Sequence, residues 1–243
     1  MQIISTQSGA SVPSGEKRPV AIDSMGRDIS IRSEVVNGDI RSLSGNMEIL
    51  RKSTVNGDLS STSGNVKVED SVIKGAINGD SVEILNKSTV NGTVKTLSGN
   101  ITVDTSTVKG SLTTIRGNIT ANSSTVGGDV DTMAGCITVK NSSIGSVDSP
   151  ANKLVLKGNN IIKSLVIQEN VNNGDSVVKL PSGRNIVTGA AEEAVKEVEF
   201  RLPKGTTISE FVKFQTKKPG ILIIEDGGKF FGKVINGIIR RGK

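Results

Sequence analysis

The heptapeptide STVNGDL at residues 53–59 decides the fold, because close variants of it return at a regular distance along the chain. The variants are SVIKGAI at 71–77, STVNGTV at 88–94, STVKGSL at 106–112 and STVGGDV at 124–130. Each is followed by a second segment with a Gly turn, such as SGNVKVE or SGNITVD. Self-similarity of this kind is typical of repeat architectures, in which each repeat packs on its neighbours.

The apolar residue in the middle of the first motif gives the length of the repeat. Successive copies are 17 to 19 positions apart, at Val36, Val55, Ile73, Val90, Val108, Val126 and Ile144. Within a repeat, apolar and polar residues alternate with a period of two, which indicates β-strands. Val, Ile and Thr also favour strands. The sequence therefore predicts an all-β fold, a right-handed parallel β-helix or solenoid with coils of about 18 residues.

The same alternation predicts which residues face the interior. Val90, Val94, Ile101 and Val103 are expected to point inward, whereas Asn91, Thr93, Thr102 and Asp104 are expected to point outward. Gly also recurs inside the first motif, where we expect that a side chain would crowd a narrow interior; these residues are Gly57, Gly75, Gly92, Gly110 and Gly128. All five Phe residues lie beyond position 199, and Trp and Tyr are absent. Small and β-branched side chains are therefore expected to fill the regular coils.

Polar residues also recur at fixed positions. One column after the turn Gly contains Asn46, Asn65, Asn100 and Asn118, and Asp80 and Cys136 are assigned to the same column. Stacked amides can hydrogen-bond from coil to coil, so we interpret this column as a structural ladder, with a ligand-binding row as the alternative. A second column, at a predicted corner, contains Ser53, Ser71, Ser88, Ser106, Ser124 and Ser142. There each hydroxyl is expected to satisfy a backbone group of the turn.

The composition argues against catalysis. The chain has no His and a single Cys, which excludes the usual zinc sites, a Ser/His/Asp triad and an intrachain disulfide. Asp39, Asp58 and Asp129 share a column, but uncharged residues interrupt it, so a carboxylate pair with catalytic spacing is not expected. The sequence therefore predicts a protein that is not an enzyme, with no catalytic residues, no metal ligands and no cofactor.

Three regions are predicted along the chain. Residues 1–19 form a flexible N-terminal tail, residues 20–147 the regular solenoid, and residues 148–243 irregular β coils. The last region is expected to contain a short helix or insertion near 190–198 and a basic C-terminal cap. No apolar segment has the length of a signal-peptide core or a membrane span, so we expect a cytoplasmic protein.

The C-terminal end concentrates the large apolar residues. A solenoid exposes unpaired strand edges and apolar core at its ends, so each end needs a cap or a partner. We therefore assign a cap or an end-to-end assembly surface to Phe211, Phe214, Phe230, Phe231, Val234 and Ile238.

The positive charge of the chain is also concentrated toward this end. Residues 1–150 carry a formal charge of −1 and residues 151–243 a charge of +7. Residues proposed to bind an anionic partner are Lys213, Lys217, Lys218, Lys229, Lys233, Arg240 and Arg241. An anionic membrane surface or an acidic protein would suit them. Sequence-specific binding of nucleic acid is not expected, because no DNA-reading motif is present and aromatic stacking residues are few.

The units Val55-Asn56-Gly57-Asp58-Leu59 and Val126-Gly127-Gly128-Asp129-Val130 resemble those of the bactofilins, bacterial polymer-forming cytoskeletal proteins. The SGN units also look like coils of adhesin-type β-solenoid domains. The resemblance covers roughly residues 33–147. It implies a small right-handed β-helix that forms filaments through its ends without nucleotide, although a typical bactofilin lacks the long stretch from 148 to 243.

Two functions follow as the main hypotheses, and a third, a carbohydrate-active enzyme, would need a cleft. The first is a non-catalytic structural or scaffolding protein that self-associates through the ends of the solenoid into a homo-oligomer or filament. The alternative is a monomeric β-solenoid binding module that displays a surface to a protein, glycan or anionic partner.

Overall fold

The computed structural model describes residues 22–149, 154–168, 176–179, 185–188, 199–216 and 219–241. Within these ranges the regular structure is entirely β-strand, and the strands are numbered β1 to β30 along the chain. The chain winds into about ten stacked coils whose strands pair in parallel. The predicted all-β parallel solenoid is confirmed.

Each regular coil has three sides, and each side is a column of parallel strands. The first side is formed by β2 Ile29–Arg32, β5 Met47–Leu50, β8 Val66–Glu69, β11 Val82–Leu85, β14 Ile101–Asp104, β17 Ile119–Asn122, β19 Ile137–Lys140 and β21 Leu154–Lys157. The second side begins with β3 Val35–Val36, β6 Thr54–Val55, β9 Val72–Ile73, β12 Thr89–Val90 and β15 Thr107–Val108. The third side begins with β1 Ile22–Ser24, β4 Ile40–Ser42, β7 Leu59–Ser61, β10 Ile77–Gly79, β13 Val94–Thr96 and β16 Leu112–Thr114.

In the later coils one long strand covers both the second and the third side. These strands are β18 Thr125–Thr132, β20 Ser143–Ser149, β22 Asn160–Gln168 and β26 Thr206–Gln215. In the last coil the two sides separate again as β28 Lys229–Phe230 and β29 Lys233–Ile235, and the first side of the C-terminal coils consists of β25 Glu199–Leu202, β27 Gly220–Ile224 and β30 Gly237–Arg241. An antiparallel hairpin, β23 Ser176–Lys179 with β24 Asn185–Thr188, precedes them.

The strand register confirms a coil of about 18 residues. Each apolar marker residue from Val36 to Ile144 is the backbone partner of the next marker along the chain. The column then continues through Ile162 and Ile208 to Phe230. The solenoid therefore extends well past the predicted regular region.

The inward-facing residues form one continuous apolar core. Val90, Val94, Ile101 and Val103 are fully buried, as the alternation predicts. Up to Ile162 the core contains only aliphatic side chains, and Phe200 is the first aromatic residue in it. At about 1.5 to 3 kcal/mol for each buried Val, Leu or Ile, burial against the neighbouring coils supplies the main stabilisation of the stack.

The recurring glycines are needed for a different reason from the one predicted. They lie at the corner between the second and third sides, directly above one another. A Cβ added to Gly92 would lie 2.5 Å from the carbonyl carbon and oxygen of Gly75 in the preceding coil. The prediction that a side chain there would crowd the interior was wrong, because the close approach is between the backbones of stacked coils.

A long step interrupts the regular winding between β22 and β25. Ile162 pairs with Ile208, which is 46 residues later, whereas successive regular coils are separated by about 18. The hairpin β23–β24 lies within this step. The helix or insertion predicted near 190–198, like the N-terminal tail at 1–19, lies outside the described residues.

Candidate functional site: the open C-terminal end

The buried serine column forms a continuous hydrogen-bonded ladder at the corner between the first and second sides. From Ser53 to Ser124, each backbone N–H donates to the hydroxyl of the serine one coil later, at 3.1 to 3.3 Å. Each hydroxyl, including that of Ser142, donates to a carbonyl two or three residues earlier, at 2.6 to 2.9 Å. These buried polar groups hydrogen-bond to one another and to nearby carbonyls, so we assign the column a structural role.

The asparagine column is an exposed ladder at the corner between the third and first sides. The backbone N–H of Asn65 donates to Oδ1 of Asn46 at 3.0 Å, and that of Asn118 to Oδ1 of Asn100 at 2.8 Å. Cys136 continues the column, since its N–H donates to Oδ1 of Asn118 at 2.9 Å. The side-chain oxygens are therefore used as acceptors for the next coil.

The assignment of Asp80 to this column was wrong by one residue. Val82 pairs with Val66 and with Ile101, so the residue in line is Ser81, whose hydroxyl accepts from the N–H of Asn100 at 3.3 Å. The physical reason is a shorter turn. Only two residues separate β10 from β11, whereas four separate β7 from β8 and β13 from β14.

The aspartate column on the corner before the third side has the same role. Oδ1 of Asp39 accepts from the N–H of Asp58 at 2.9 Å, and Oδ1 of Asp58 accepts from the N–H of Ala76 at 2.7 Å. In the described part of the chain, no group of three or more His, Cys, Asp or Glu side chains is placed to hold a metal ion. The carboxylates of Asp39 and Asp58 therefore link successive coils through hydrogen bonds to the backbone.

The exposed large apolar residues of the described ranges fall in three places. One is the corner between the third and first sides, with Met25, Leu43, Leu97, Ile115 and Met133. Another is the outer surface of the second side, with Val35, Val72 and Ile161. The third is the last coil, with Phe231, Ile235, Ile238 and Ile239. The last coil gathers four of them within nine residues, so we treat it as the candidate site.

In the described part of the chain, the last coil leaves the apolar core open. Phe230, Val234 and Ile239 follow Ile208, Val212 and Leu222 in their inward-facing columns. Phe230 and Val234 are half-buried, and Ile239 is 47% exposed. Among the described residues, β28, β29 and β30 pair only with the coil before them. The three strands therefore present unpaired backbone edges around apolar side chains.

The structure divides the six residues predicted for a cap or assembly surface. Phe214 belongs to the core: it is 1% exposed, and its ring lies against the backbone of Gly220 and Gly237. Phe230 and Val234 face inward in the open coil. Phe211 is half-buried, whereas Phe231, at 73%, and Ile238 are exposed. Ile235 and Ile239 belong to the same apolar run in the sequence and are also exposed, although they were not among the six assigned residues.

The basic residues surround this end and do not form one patch. Lys229 lies on the second side, Lys213 and Lys233 on the third, and Arg240 on the first. Arg241 follows Ile224 in register and lines a cavity of about 540 Å³ together with Glu225, Asp226, Lys229, Phe230 and Phe231. Lys217 and Lys218 lie outside the described residues. The described cations therefore form a ring around an apolar end.

None of the described residues forms a helix with the length and apolar character needed to cross a membrane. In comparisons with known proteins, no protein-family model, no curated protein and no solved structure matches this chain.

Proposed function

We propose that this chain is a non-catalytic structural protein that self-associates through the ends of its solenoid, with the C-terminal end providing one contact surface. The observation that carries the proposal is the last coil, in which β28, β29 and β30 combine unpaired edges with exposed Phe231, Ile238 and Ile239. Exposed strand edges readily pair with further strands, and exposed apolar patches favour association.

The occupant that fits this end is a second copy of the chain. The three unpaired edges lie on three sides of one coil, so a partner that pairs with all of them needs a coil of the same cross-section. The first described coil of another copy offers this shape, and its three acidic residues, Asp23, Asp28 and Glu34, outnumber its two basic ones, Arg27 and Arg32. These acidic residues complement the ring of cations at the C-terminal end, which favours a C-terminal end stacking on an N-terminal end. Such a head-to-tail contact does not close and would generate a filament.

The test is the size of the assembly, measured by light scattering and negative-stain electron microscopy. We expect filaments or large oligomers for the natural chain, and their loss in Phe231→Arg and Ile239→Arg, which place charge on the open end. Ile161→Arg is the matched control, because Ile161 is exposed on the second side and lies two coils before the open coil. A chain that stays monodisperse and monomeric at high concentration would contradict the proposal. Added salt should weaken head-to-tail contacts and strengthen contacts between two basic ends.

The alternative function is a monomeric module that binds an anionic partner, which could be an acidic protein, an anionic glycan or a membrane surface. The ring of Lys229, Lys233 and Arg240 around the cavity-lining Arg241 is the observation that favours it. Sedimentation with vesicles of anionic or neutral lipid tests the membrane case. A monomer that binds only the anionic vesicles, with loss of binding when these four residues are changed to Gln, would favour the alternative over self-association. The expected cytoplasmic location stays a prediction.

A further inference from the structure

An exposed apolar ridge runs along one corner of the solenoid, away from the open end. Leu97, Ile115 and Met133 follow Thr96, Thr114 and Thr132, which pair in register on three successive coils. They are 67%, 40% and 65% exposed. Parallel coils stack about 4.8 Å apart, so the three side chains form a stripe about 10 Å long. A continuous stripe of this kind indicates an interaction surface more strongly than scattered apolar residues do.

The charges beside the ridge change sign along the rod. On the outer surface of the third side, Lys95, Thr113 and Asp131 occupy one column on the same three coils. Asp148 continues this column beyond Asp131. The column on the third side is therefore positive at the Leu97 coil, neutral at the Ile115 coil and negative at the Met133 coil, while exposed Arg116 adds a positive charge at the corner beside Ile115.

We propose that this surface, formed by the ridge and the outer third side, binds a second copy of the chain in antiparallel orientation. The two-fold axis passes between the two copies at the coil of Thr113 and Ile115. Leu97 then lies against Met133 of the second copy, and Lys95 faces Asp131 of the second copy. Symmetry repeats both contacts, so the interface is self-complementary and closed.

Charge complementarity favours this arrangement over two other lateral ones. A parallel pair related by an axis along the rod would place Lys95 against Lys95 and Asp131 against Asp131. An antiparallel pair centred near Asp80 would place Asp23 against Asp131. Two β-sheets pack about 10 Å apart face to face, a distance that a Lys and an Asp side chain can span together.

The other residues of this column on the third side are compatible with the proposed pairing. Asn78 faces Asp148 of the second copy and can donate a hydrogen bond to it. At the far ends Arg41 faces Lys213 of the second copy, but the Arg41 guanidinium already lies 2.8 Å from the carboxylate of Asp39. The attractive contacts therefore lie near the two-fold axis, where the ridge also packs.

A charge-swap experiment tests the pairing. It uses the full chain with Phe231→Arg, so that association through the open end is removed, and measures the dimer dissociation constant by sedimentation equilibrium. Lys95→Glu and Asp131→Lys should each weaken the dimer by about tenfold or more, because attraction becomes repulsion at two symmetric places. The double variant Lys95→Glu with Asp131→Lys should restore the dimer. Ile115→Lys should abolish it, whereas Val72→Lys on the second side should leave it unchanged.

Chemical cross-linking provides a second readout. With Cys136→Ser, the chain has no other cysteine, and Thr113→Cys should be cross-linked to a dimer by a short bis-maleimide, because the two copies of the residue face each other across the two-fold axis at the spacing of about 10 Å between packed sheets. Thr107→Cys, on the outer surface of the second side, should not. The proposal is overturned if the Phe231→Arg chain is monomeric at all concentrations, if the double variant is not restored, or if both cysteine variants cross-link equally. Loss of filaments with a persistent dimer would separate the end contact from the lateral one.

Discussion

The backbone N–H of Ser106 donates a hydrogen bond to the hydroxyl of Ser124 at 3.2 Å, and that hydroxyl donates to the carbonyl of Asn122 at 2.7 Å. Ser124 is buried, so one hydroxyl serves a backbone donor in one coil and a backbone acceptor in the next. The two coils are joined inside the corner by a side chain that water does not reach.

Removal of this hydroxyl should destabilise the stack. Ser124→Ala leaves the buried N–H of Ser106 without its acceptor, which costs about 1 to 3 kcal/mol, and removes one of the two donors to the carbonyl of Asn122. Denaturant unfolding measures the change in the free energy of unfolding. Ser98→Ala at an exposed turn is the control and should stay within about 0.5 kcal/mol of the natural chain. Equal effects of the two substitutions would mean that the ladder does not contribute.

Substitution of a corner glycine should be far more costly than substitution of a glycine in an open turn. Gly92→Ala places a Cβ against the carbonyl of Gly75, so the two coils must separate locally or the chain must misfold. Gly26→Ala would meet only the hydroxyl of Ser44 at 3.1 Å, and a small rotation can relieve this contact. We expect a large drop in thermal stability for Gly92→Ala and a small change for Gly26→Ala. A tolerated Gly92→Ala would refute the close approach of the backbones.

The phenylalanines of the C-terminal coils should respond differently to truncation. Phe214→Ala empties part of the core and should cost about 3 to 5 kcal/mol. Phe231→Ala removes an exposed ring and should change the free energy of unfolding by no more than about 0.5 kcal/mol. Both changes are to be measured by denaturant unfolding at concentrations where the chain is monomeric. If Phe231→Ala destabilises the monomer as much as Phe214→Ala, the ring cannot be an exposed contact residue.

The pH dependence of stability should reveal the effect of the neighbouring carboxylates on the third side. Burial and the neighbouring carboxylates of Asp148 and Asp129 raise the pKa of Asp131 above its ordinary value. The folded state therefore holds this proton more tightly than the unfolded chain, so this contribution to stability is present at low pH and is lost as the pH rises through the raised pKa.

Asp131→Asn should accordingly raise the melting temperature of the monomer at pH 7 and have a smaller effect at pH 3. Lys95, two coils away in the same column, is the nearest cation of that column and weakens the repulsion only partly. Thr113→Asn, in the same column but without a titrating group, should show the same effect at both pH values. A pH-independent effect of Asp131→Asn would remove the electrostatic explanation.

The regular coils could be predicted from the sequence because each coil must present the same inward residues to its neighbours. The column from Val36 to Ile144 therefore shows the coil length directly. Sequence spacing did not show where turns change length, so Asp80 was assigned to the column that Ser81 occupies. Sequence spacing also could not distinguish a glycine that a narrow interior requires from one that the close approach of another backbone requires.

The candidate site was only partly predictable. Phe214 and Phe231 are both apolar residues near the C-terminal end, and only the pairing of Phe214 with Ile167 and its ring contact with Gly220 show that Phe214 is enclosed. The ridge of Leu97, Ile115 and Met133 was missed because these residues lie in turns, where the two-residue alternation no longer indicates a face. The pairing of Ile162 with Ile208 has no local signal, because it depends on stacking across an insertion.

The long step between β22 and β25 should also determine how the solenoid responds to force. In the described residues, the coils on either side of it are joined through β22 and β26, whereas β21 pairs with β19 and β25 with β27. Under tension along the rod this joint should yield first. The chain between Ile162 and Ile208 is about 28 residues longer than one coil, enough to extend by roughly 90 to 100 Å after the joint opens. The coils before and after the step could then separate under load, remain connected by the chain between them and stack again when the load is removed.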